Sequence, residues 1–176
     1  MTVDALAVLE PACTAAEALA LYDGLAPMPA EELTGRWRGR ELATGHPMDG
    51  RLAASGWYGK QFDDVDRVHP LLFATPGGKV FPVDPRLIPL ALVDKVPPAL
   101  VRRARRALGL AEPVLRSRRH RARLREVRYR GVVTAAMVYD DLPIIDVFRR
   151  VDEDTVLGAM DLRGAPAPYF FVLQRD

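Results

Sequence analysis

The sequence predicts a mainly β protein: a single antiparallel β-barrel of about eight or more strands, with an N-terminal helix before it and a basic amphipathic helix inserted into it. Three observations carry this. Residues 34–40 read Thr-Gly-Arg-Trp-Arg-Gly-Arg. A tryptophan between Gly35 and Gly39, at the start of an alternating segment, suits a ring packed where backbone comes close, because glycine lacks the Cβ that would block the approach. Trp37 is thereby expected to plug one end of a closed sheet. Further on, Val127, Tyr129, Gly131, Val133, Ala135, Met137 and Tyr139 alternate with Arg128, Arg130, Val132, Thr134 and Val138, a period of two over thirteen residues. The first set mixes small and large side chains, as the concave face of a tight barrel requires. Lastly, the strand-like segments add up to about eight, a number that closes into a barrel whose interior is filled or holds one small ligand. Closure also removes exposed sheet edges.

Each element has its own signal. Thr14 and Glu17 form a capping box that starts a helix through Tyr22, and Gly24 is placed to end it. Ala30–Leu33 reads as a short further turn. Residues 36–42 and 51–58 read as two strands joined by the loop Gly45-His46-Pro47-Met48-Asp49-Gly50, and the polar residues 60–66 as a connection. Leu71–Ala74 and Lys79–Val83 flank Pro76-Gly77-Gly78, a hairpin signal. Pro82, Pro85 and Pro89 then give an irregular, extended stretch. Pro97–Leu108 reads as one helix, with proline in its first turn and Gly109 at its end. Leu100, Ala104, Ala107 and Leu108 fall on one face and Arg102, Arg103, Arg105 and Arg106 cover much of the rest. After the alternating strand, Asp140-Asp141-Leu142-Pro143 turns the chain. Ile144–Val151, Thr155–Leu162 and Tyr169–Arg175 complete a four-stranded meander. In blocks, residues 1–32 are an N-terminal helical segment, 33–89 the first half of the barrel, 90–123 the inserted basic helix and linker, and 124–176 the closing meander, all within one structural domain.

Composition narrows the class. About half of the residues are apolar and a quarter charged, ordinary for a globular protein. Cys13 is the only cysteine, so no intrachain disulfide forms and a reducing compartment is the simpler expectation. The N-terminus carries no basic region before an apolar run, and no stretch approaches a membrane span. A cytoplasmic location is expected. The net charge of +2 hides an asymmetry: residues 102–130 hold twelve arginines and two glutamates, a local +10, which leaves −8 for the remainder. Such a split marks either a docking surface or a solvated helix followed by an exposed strand face.

Two blocks resemble known families. Leu33-Thr34-Gly35-Arg36-Trp37-Arg38-Gly39, through Gly56-Trp57-Tyr58-Gly59-Lys60 and Val68-His69-Pro70-Leu71-Leu72-Phe73, resembles the GXWXG domain family. Tyr129-Arg130-Gly131, through Tyr139-Asp140-Asp141-Leu142-Pro143-Ile144-Ile145-Asp146, to Tyr169-Phe170-Phe171 resembles the uncharacterised C-terminal domain that usually follows it. The Gly-x-Trp start is also similar to that of calycins, the group of lipocalins, fatty-acid-binding proteins and nitrobindins. That resemblance implies a calycin-like barrel in which Arg175 of the last strand stacks on Trp37 of the first. Such a cation–π contact is worth about 0.5–2 kcal/mol. It implies no established activity.

The candidate chemistry is limited. His46, His69 and His120 make no His-x-His pair and have no cysteine partner, so no metal site is expected. His46 and Asp49 share a loop, where turn chemistry accounts for them. Nitrobindin-like proteins use a C-terminal histidine for haem, and the last four strands here have none, so haem is disfavoured and no cofactor is predicted. There is no Gly-x-Ser-x-Gly elbow and no phosphate loop. Acid–base chemistry remains open. Asp146, Asp161 and His69 are the catalytic candidates, since a carboxylate facing a barrel interior must be paired or shift its pKa. Trp57, Tyr129, Met137, Tyr139 and Phe171 are the candidate ligand-binding residues.

Three functions therefore stand, in order. The first is a binding module for a small hydrophobic or amphipathic ligand. The second is an isomerase, lyase or cyclase working by acid–base chemistry in the same pocket. The third is a filled barrel that docks through its arginine-rich face. Nucleic acid is disfavoured because the basic segment lacks interleaved aromatics. An anionic membrane surface suits Arg102, Arg103, Arg105 and Arg106 better.

Overall fold

Thr14 starts a helix by a reciprocal cap. Its hydroxyl accepts from the Glu17 N–H at 3.2 Å, and Glu17 Oε2 accepts from the Thr14 N–H at 2.8 Å. A computed structural model describes residues 2–88 and 95–176. Ahead of the barrel lie Thr2–Leu9 (α1), Ala15–Gly24 (α2), the two-residue strand Ala26–Pro27 (β1) and a 3-10 turn at Ala30–Glu32. Gly35–Glu41 (β2), Arg51–Ser55 (α3), Trp57–Phe62 (β3), Val68–Ala74 (β4) and Val80–Pro82 (β5) follow. After a 3-10 turn at Pro85–Leu87 come Pro98–Arg105 (α4) and Leu108–Leu115 (α5). Ala122–Tyr129 (β6), Val132–Tyr139 (β7), Ile144–Arg150 (β8), Thr155–Leu162 (β9) and Tyr169–Arg175 (β10) end the chain.

The barrel runs β2-β3-β4-β6-β7-β8-β9-β10 and closes where β10 pairs β2 and β8 pairs β9, every pairing antiparallel. It is the expected mainly β, calycin-like closed barrel of eight strands, with β1 and β5 as additions. β5 extends β4, and β1 pairs with the end of β8, Ala26 opposite Arg150. There Thr134 donates to the Phe148 carbonyl at 2.6 Å and accepts from the Met28 N–H at 2.9 Å.

Trp37 is fully buried, its Nε1–H donating to the Thr34 carbonyl at 3.0 Å. The Arg175 guanidinium lies 4.4 Å from its ring centroid and donates to the Thr34 carbonyl at 2.9 Å. Gly59, on the neighbouring strand, has φ +149°, and a Cβ there would sit 1.9 Å from the Trp37 carbonyl oxygen. The glycine lets β3 pass over the tryptophan backbone.

The last three strands are buried on both faces. Inside, Phe148, Val156, Phe171 and Leu173 join the barrel core. Outside, Leu157, Ala159, Phe170 and Val172 pack under Leu6, Ala18 and Tyr22 of the N-terminal helices. This is why Phe170-Phe171-Val172-Leu173 is an unbroken apolar run: a strand covered on both sides has no polar face to display. Arg149 is buried in the outer layer, donating to the Leu25 carbonyl at 3.1 Å with its guanidinium 5.2 Å from the Tyr22 ring. Burial pushes the Tyr22 phenol up.

Four expectations need correction. Residues 51–58 are not a strand: Arg51–Ser55 is helical, a run of good helix formers without a β-branched residue. Glu41 fixes its start, accepting from the Leu52 N–H at 3.0 Å. The second strand is then β3, which takes in Lys60 and Gln61 from the supposed connection. The basic helix is two helices, α4 and α5, with the chain turning at Arg106–Ala107; Gly109 lies inside the second. Glu112, ion-paired to Lys79 at 2.8 Å and Arg116 at 2.5 Å, anchors α5. The thirteen-residue alternation is a hairpin, so the meander has five strands, β6 to β10. Arg130 and Gly131 both have positive φ, 49° and 83°, as a two-residue hairpin turn requires. Finally, α1 precedes the expected N-terminal helix. Pro89 and the boundary placed at 89/90 lie outside the described residues. No described helix is long and apolar enough to cross a membrane.

Candidate ligand-binding site

β3 and β8 lie on opposite sides of the closed barrel, and each turns one charged side chain into it. Lys60 Nζ meets Asp146 Oδ2 at 2.7 Å, with the two side chains 3% and 2% exposed. The pair therefore spans the lumen. Lys60 also donates to the Pro70 carbonyl at 3.2 Å. Its ammonium lies 5.0 Å from the Phe171 ring centroid, 5.7 Å from Tyr139 and 5.8 Å from Trp57, an aromatic surround that favours a dehydrated cation.

Against this pair lies a cavity of about 80 Å³, lined by Trp57, Lys60, Tyr139, Asp146, Tyr169 and Phe171 and by an apolar wall that includes Leu52, Ile88 and Met160. A second cavity of about 280 Å³ lies beside it, lined among others by Leu52, Phe73, Ile88, Val101, Leu108 and Leu115. Leu52 and Ile88 border both.

The aromatic walls rest on glycines. A Cβ on Gly39 would fall 2.2 Å from Trp57 Cη2, and one on Gly158 would fall 2.4 Å from Phe171 Cζ. Trp57 and Phe171 then meet edge to face at 5.8 Å. The second glycine of the Gly-x-Trp-x-Gly pattern thus shapes the cavity wall.

Two buried polar atoms beside the cavity have no hydrogen-bond partner: Asp146 Oδ1 and Trp57 Nε1. Buried polar groups are nearly always paired. One leftover acceptor and one leftover donor match a ligand group that both donates and accepts. Burial raises the Asp146 pKa, partly offset by the charge and hydrogen bond of Lys60. Burial also pushes the Tyr139 phenol far up, aided by the Asp146 charge.

Of the residues named from sequence, Trp57, Tyr139, Phe171 and Asp146 line this cavity. Met137 is fully buried in the barrel core and pairs with Asp146 in register but does not line the cavity. Tyr129 lies outside the barrel, its ring edge-on to Tyr22 at 6.2 Å. The hairpin explains it: Tyr129 pairs with Val132, and Leu124 with Met137, so Tyr129 shares the face opposite to Met137 and Tyr139. Asp161 is exposed on β9. Lys60 was missed, because residues 60–66 read as a polar connection. A usable signal existed: Lys60 is one of only 3 lysines beside 22 arginines, and it stands between the aromatic pair Trp57-Tyr58 and Phe62.

His69 is away from the cavity wall. It stacks on His120, centroids 4.4 Å apart, and His120 Nε2 is 2.8 Å from Asp63 Oδ2. Burial holds His69 below the usual histidine range, and His120 adds to this. Burial pushes Asp63 up, but hydrogen bonds from His120 and Gln61 outweigh it and leave it lowered. In the 45–50 loop, Asp49 Oδ2 accepts from the N–H groups of Thr44, Gly45 and His46 at 2.8–3.0 Å, which is turn chemistry.

Comparison with known proteins agrees with this architecture. The GXWXG protein model matches residues 20–78, and a domain of unknown function, DUF4334, matches residues 120–175. A crystal structure of a protein from Thermomonospora curvata is 36% identical, covers 98% of this chain and 99% of its own, and superposes with a TM-score of 0.72. No curated protein matches. The chain belongs to the GXWXG family, its barrel completed by a DUF4334 domain.

Proposed function

We propose that the barrel binds a small amphipathic molecule. Its polar end, a hydroxyl, amide or similar group able to donate and accept, meets the Lys60–Asp146 pair. Its apolar body lies along Trp57, Phe171 and Met160 and extends past Leu52 and Ile88 toward the second cavity. The observation that supports this most is the lumen-spanning ion pair with Asp146 Oδ1 and Trp57 Nε1 unpaired in an apolar wall. Native mass spectrometry of the protein as purified from cells tests it. A discrete extra mass that leaves on denaturation is expected, and it should be absent from the Asp146→Asn variant. A mass retained equally by that variant would count against the assignment of the site.

One observation favours a second reading. Asp146 is a buried carboxylate of raised pKa beside an amine, the arrangement of a general acid–base pair in an isomerase, lyase or cyclase. Turnover of the molecule identified by mass would then follow a bell-shaped pH profile that Asp146→Asn abolishes. The arginine-rich helix fits an accessory role at an anionic membrane surface. Arg102, Arg103 and Arg106 are exposed, with no ion pair among the described residues, and Leu100 is exposed beside them. Arg105 instead packs on Gly56.

A further inference from the structure

Asp63 follows β3, His69 is the second residue of β4, and His120 precedes β6 by two residues. Sequence spacing gives no hint that the three meet. The sheet brings them together: Val68 pairs with Ala122, and the Arg121 N–H donates to the Val68 carbonyl at 3.0 Å. The 63–67 turn closes through the Asp63 N–H on the Arg67 carbonyl at 2.9 Å.

We propose that Asp63, His69 and His120 form a binding site for one divalent transition-metal ion, Zn²⁺ or a cation of similar preference, separate from the barrel cavity. One carboxylate oxygen and one nitrogen of each imidazole lie within 4.8 Å of one another. Ligands around a tetrahedral zinc are about 3.3 Å apart for bonds of about 2.0–2.1 Å, so side-chain rotation of about 1.5 Å or less completes the set. Two neutral imidazoles and a carboxylate are the donors such ions select, and three protein ligands leave a fourth position open.

Two further features fit a ligand set better than a chance contact. His69 Nδ1 is buried with no hydrogen-bond partner, so the fold leaves an imidazole nitrogen unused. Asp63 Oδ1 accepts from Gln61 Nε2 at 2.9 Å while Oδ2 faces His120, the outer-layer support that orients ligating carboxylates. The His120 and Asp63 side chains are 30% and 35% exposed, which gives an ion a path from solvent.

The test is titration of the metal-stripped protein with Co²⁺, followed by visible absorption, and with Zn²⁺, followed by calorimetry. One equivalent of Co²⁺ should give the intense bands of low-coordinate cobalt, and Zn²⁺ should bleach them. His69→Asn and His120→Gln should each weaken Zn²⁺ at least about 100-fold, and Gln61→Ala about 10-fold. His46→Asn should change nothing. Melting curves of the metal-free variants separate lost ligation from lost folding, and the wild-type cobalt spectrum stands whether or not a variant folds. No stoichiometric uptake by the wild type, or uptake unaltered in His120→Gln, would overturn the site and leave a hydrogen-bonded Asp–His pair under a stacked ring.

Discussion

Lys60 and Asp146 reach each other from opposite strands with almost no exposure, and the whole candidate site turns on that pair. Removing one partner leaves the other buried and uncompensated, which costs about 3–5 kcal/mol, whereas replacing both with apolar groups of similar volume is far milder. Lys60→Met is therefore expected to lower the denaturant midpoint steeply, and Lys60→Met/Asp146→Leu to recover most of the loss. A single variant as stable as the wild type would mean the pair is hydrated. At the same scale, Gly39→Ala should displace the Trp57 ring and cost about 1–3 kcal/mol as overpacking. Its check is a changed near-ultraviolet circular dichroism band together with weaker ligand retention. Residue-level legibility was partial. Asp146, Tyr139, Trp57 and Phe171 could be named because aromatic and acidic residues stand out in apolar strands. Lys60 could not, because the segment carrying it reads as polar, and Tyr129 was misplaced by one unrecognised turn.

Among the elements, the segment from Val83 to Leu87 ties the hairpin half of the barrel to the basic half. Asp84 caps the 3-10 turn through the Arg86 N–H at 3.1 Å and pairs with Arg86 at 2.8 Å and Arg121 at 2.9 Å. The hydrogen bond from the Arg86 guanidinium, with the Arg86 N–H and the Arg121 charge, holds its carboxyl at about 2, below the ordinary 3.8. A depressed folded pKa means the stabilisation is fully present above 3.8 and is lost as pH falls through about 2. The stability difference between wild type and Asp84→Asn should thus be constant near neutrality and shrink between pH 3.8 and about 2. A difference that stays flat across that window would place the carboxylate outside the ion pairs. Elements with local chemistry were legible: the Thr14 cap, the Pro-Gly-Gly hairpin and the last three strands. The α3 helix and the break between α4 and α5 were not. Residues 51–58 follow a loop, as a strand of a hairpin would, and the helix break depends on how α5 seats Leu108 and Leu115 on the barrel.

For the whole molecule, the charge split finds a structural outlet. Arg121, Arg123, Arg125 and Arg130 pair with Asp84, Asp140, Asp66 and Asp23, so four of the twelve arginines of residues 102–130 face acidic residues from the rest of the chain. The exposed pairs among these add little stability, about 0–1 kcal/mol each. They register the basic strand against its neighbours, while Arg102, Arg103 and Arg106 on α4, like Arg118 and Arg119 after α5, stay exposed with no ion pair among the described residues. The closed barrel was legible from strand count and alternation. The cavity was not, because an apolar interior reads the same whether it is filled or hollow until glycines and aromatics are set against each other in space.

The central claim is that the lumen binds an amphipathic molecule at Trp57 and the Lys60–Asp146 pair. The chain has two tryptophans, Trp37 with its indole N–H bonded to the Thr34 carbonyl and Trp57 with its indole N–H unpaired. Nitrogen-edited NMR of the indole region during titration with octanol or octanamide reads them separately, with Trp57→Phe for assignment. The Trp57 resonance should move and saturate while Trp37 stays in place, and Asp146→Asn should weaken the response. A Trp57 signal unchanged throughout, or one that moves no more than Trp37, would contradict a ligand-holding barrel.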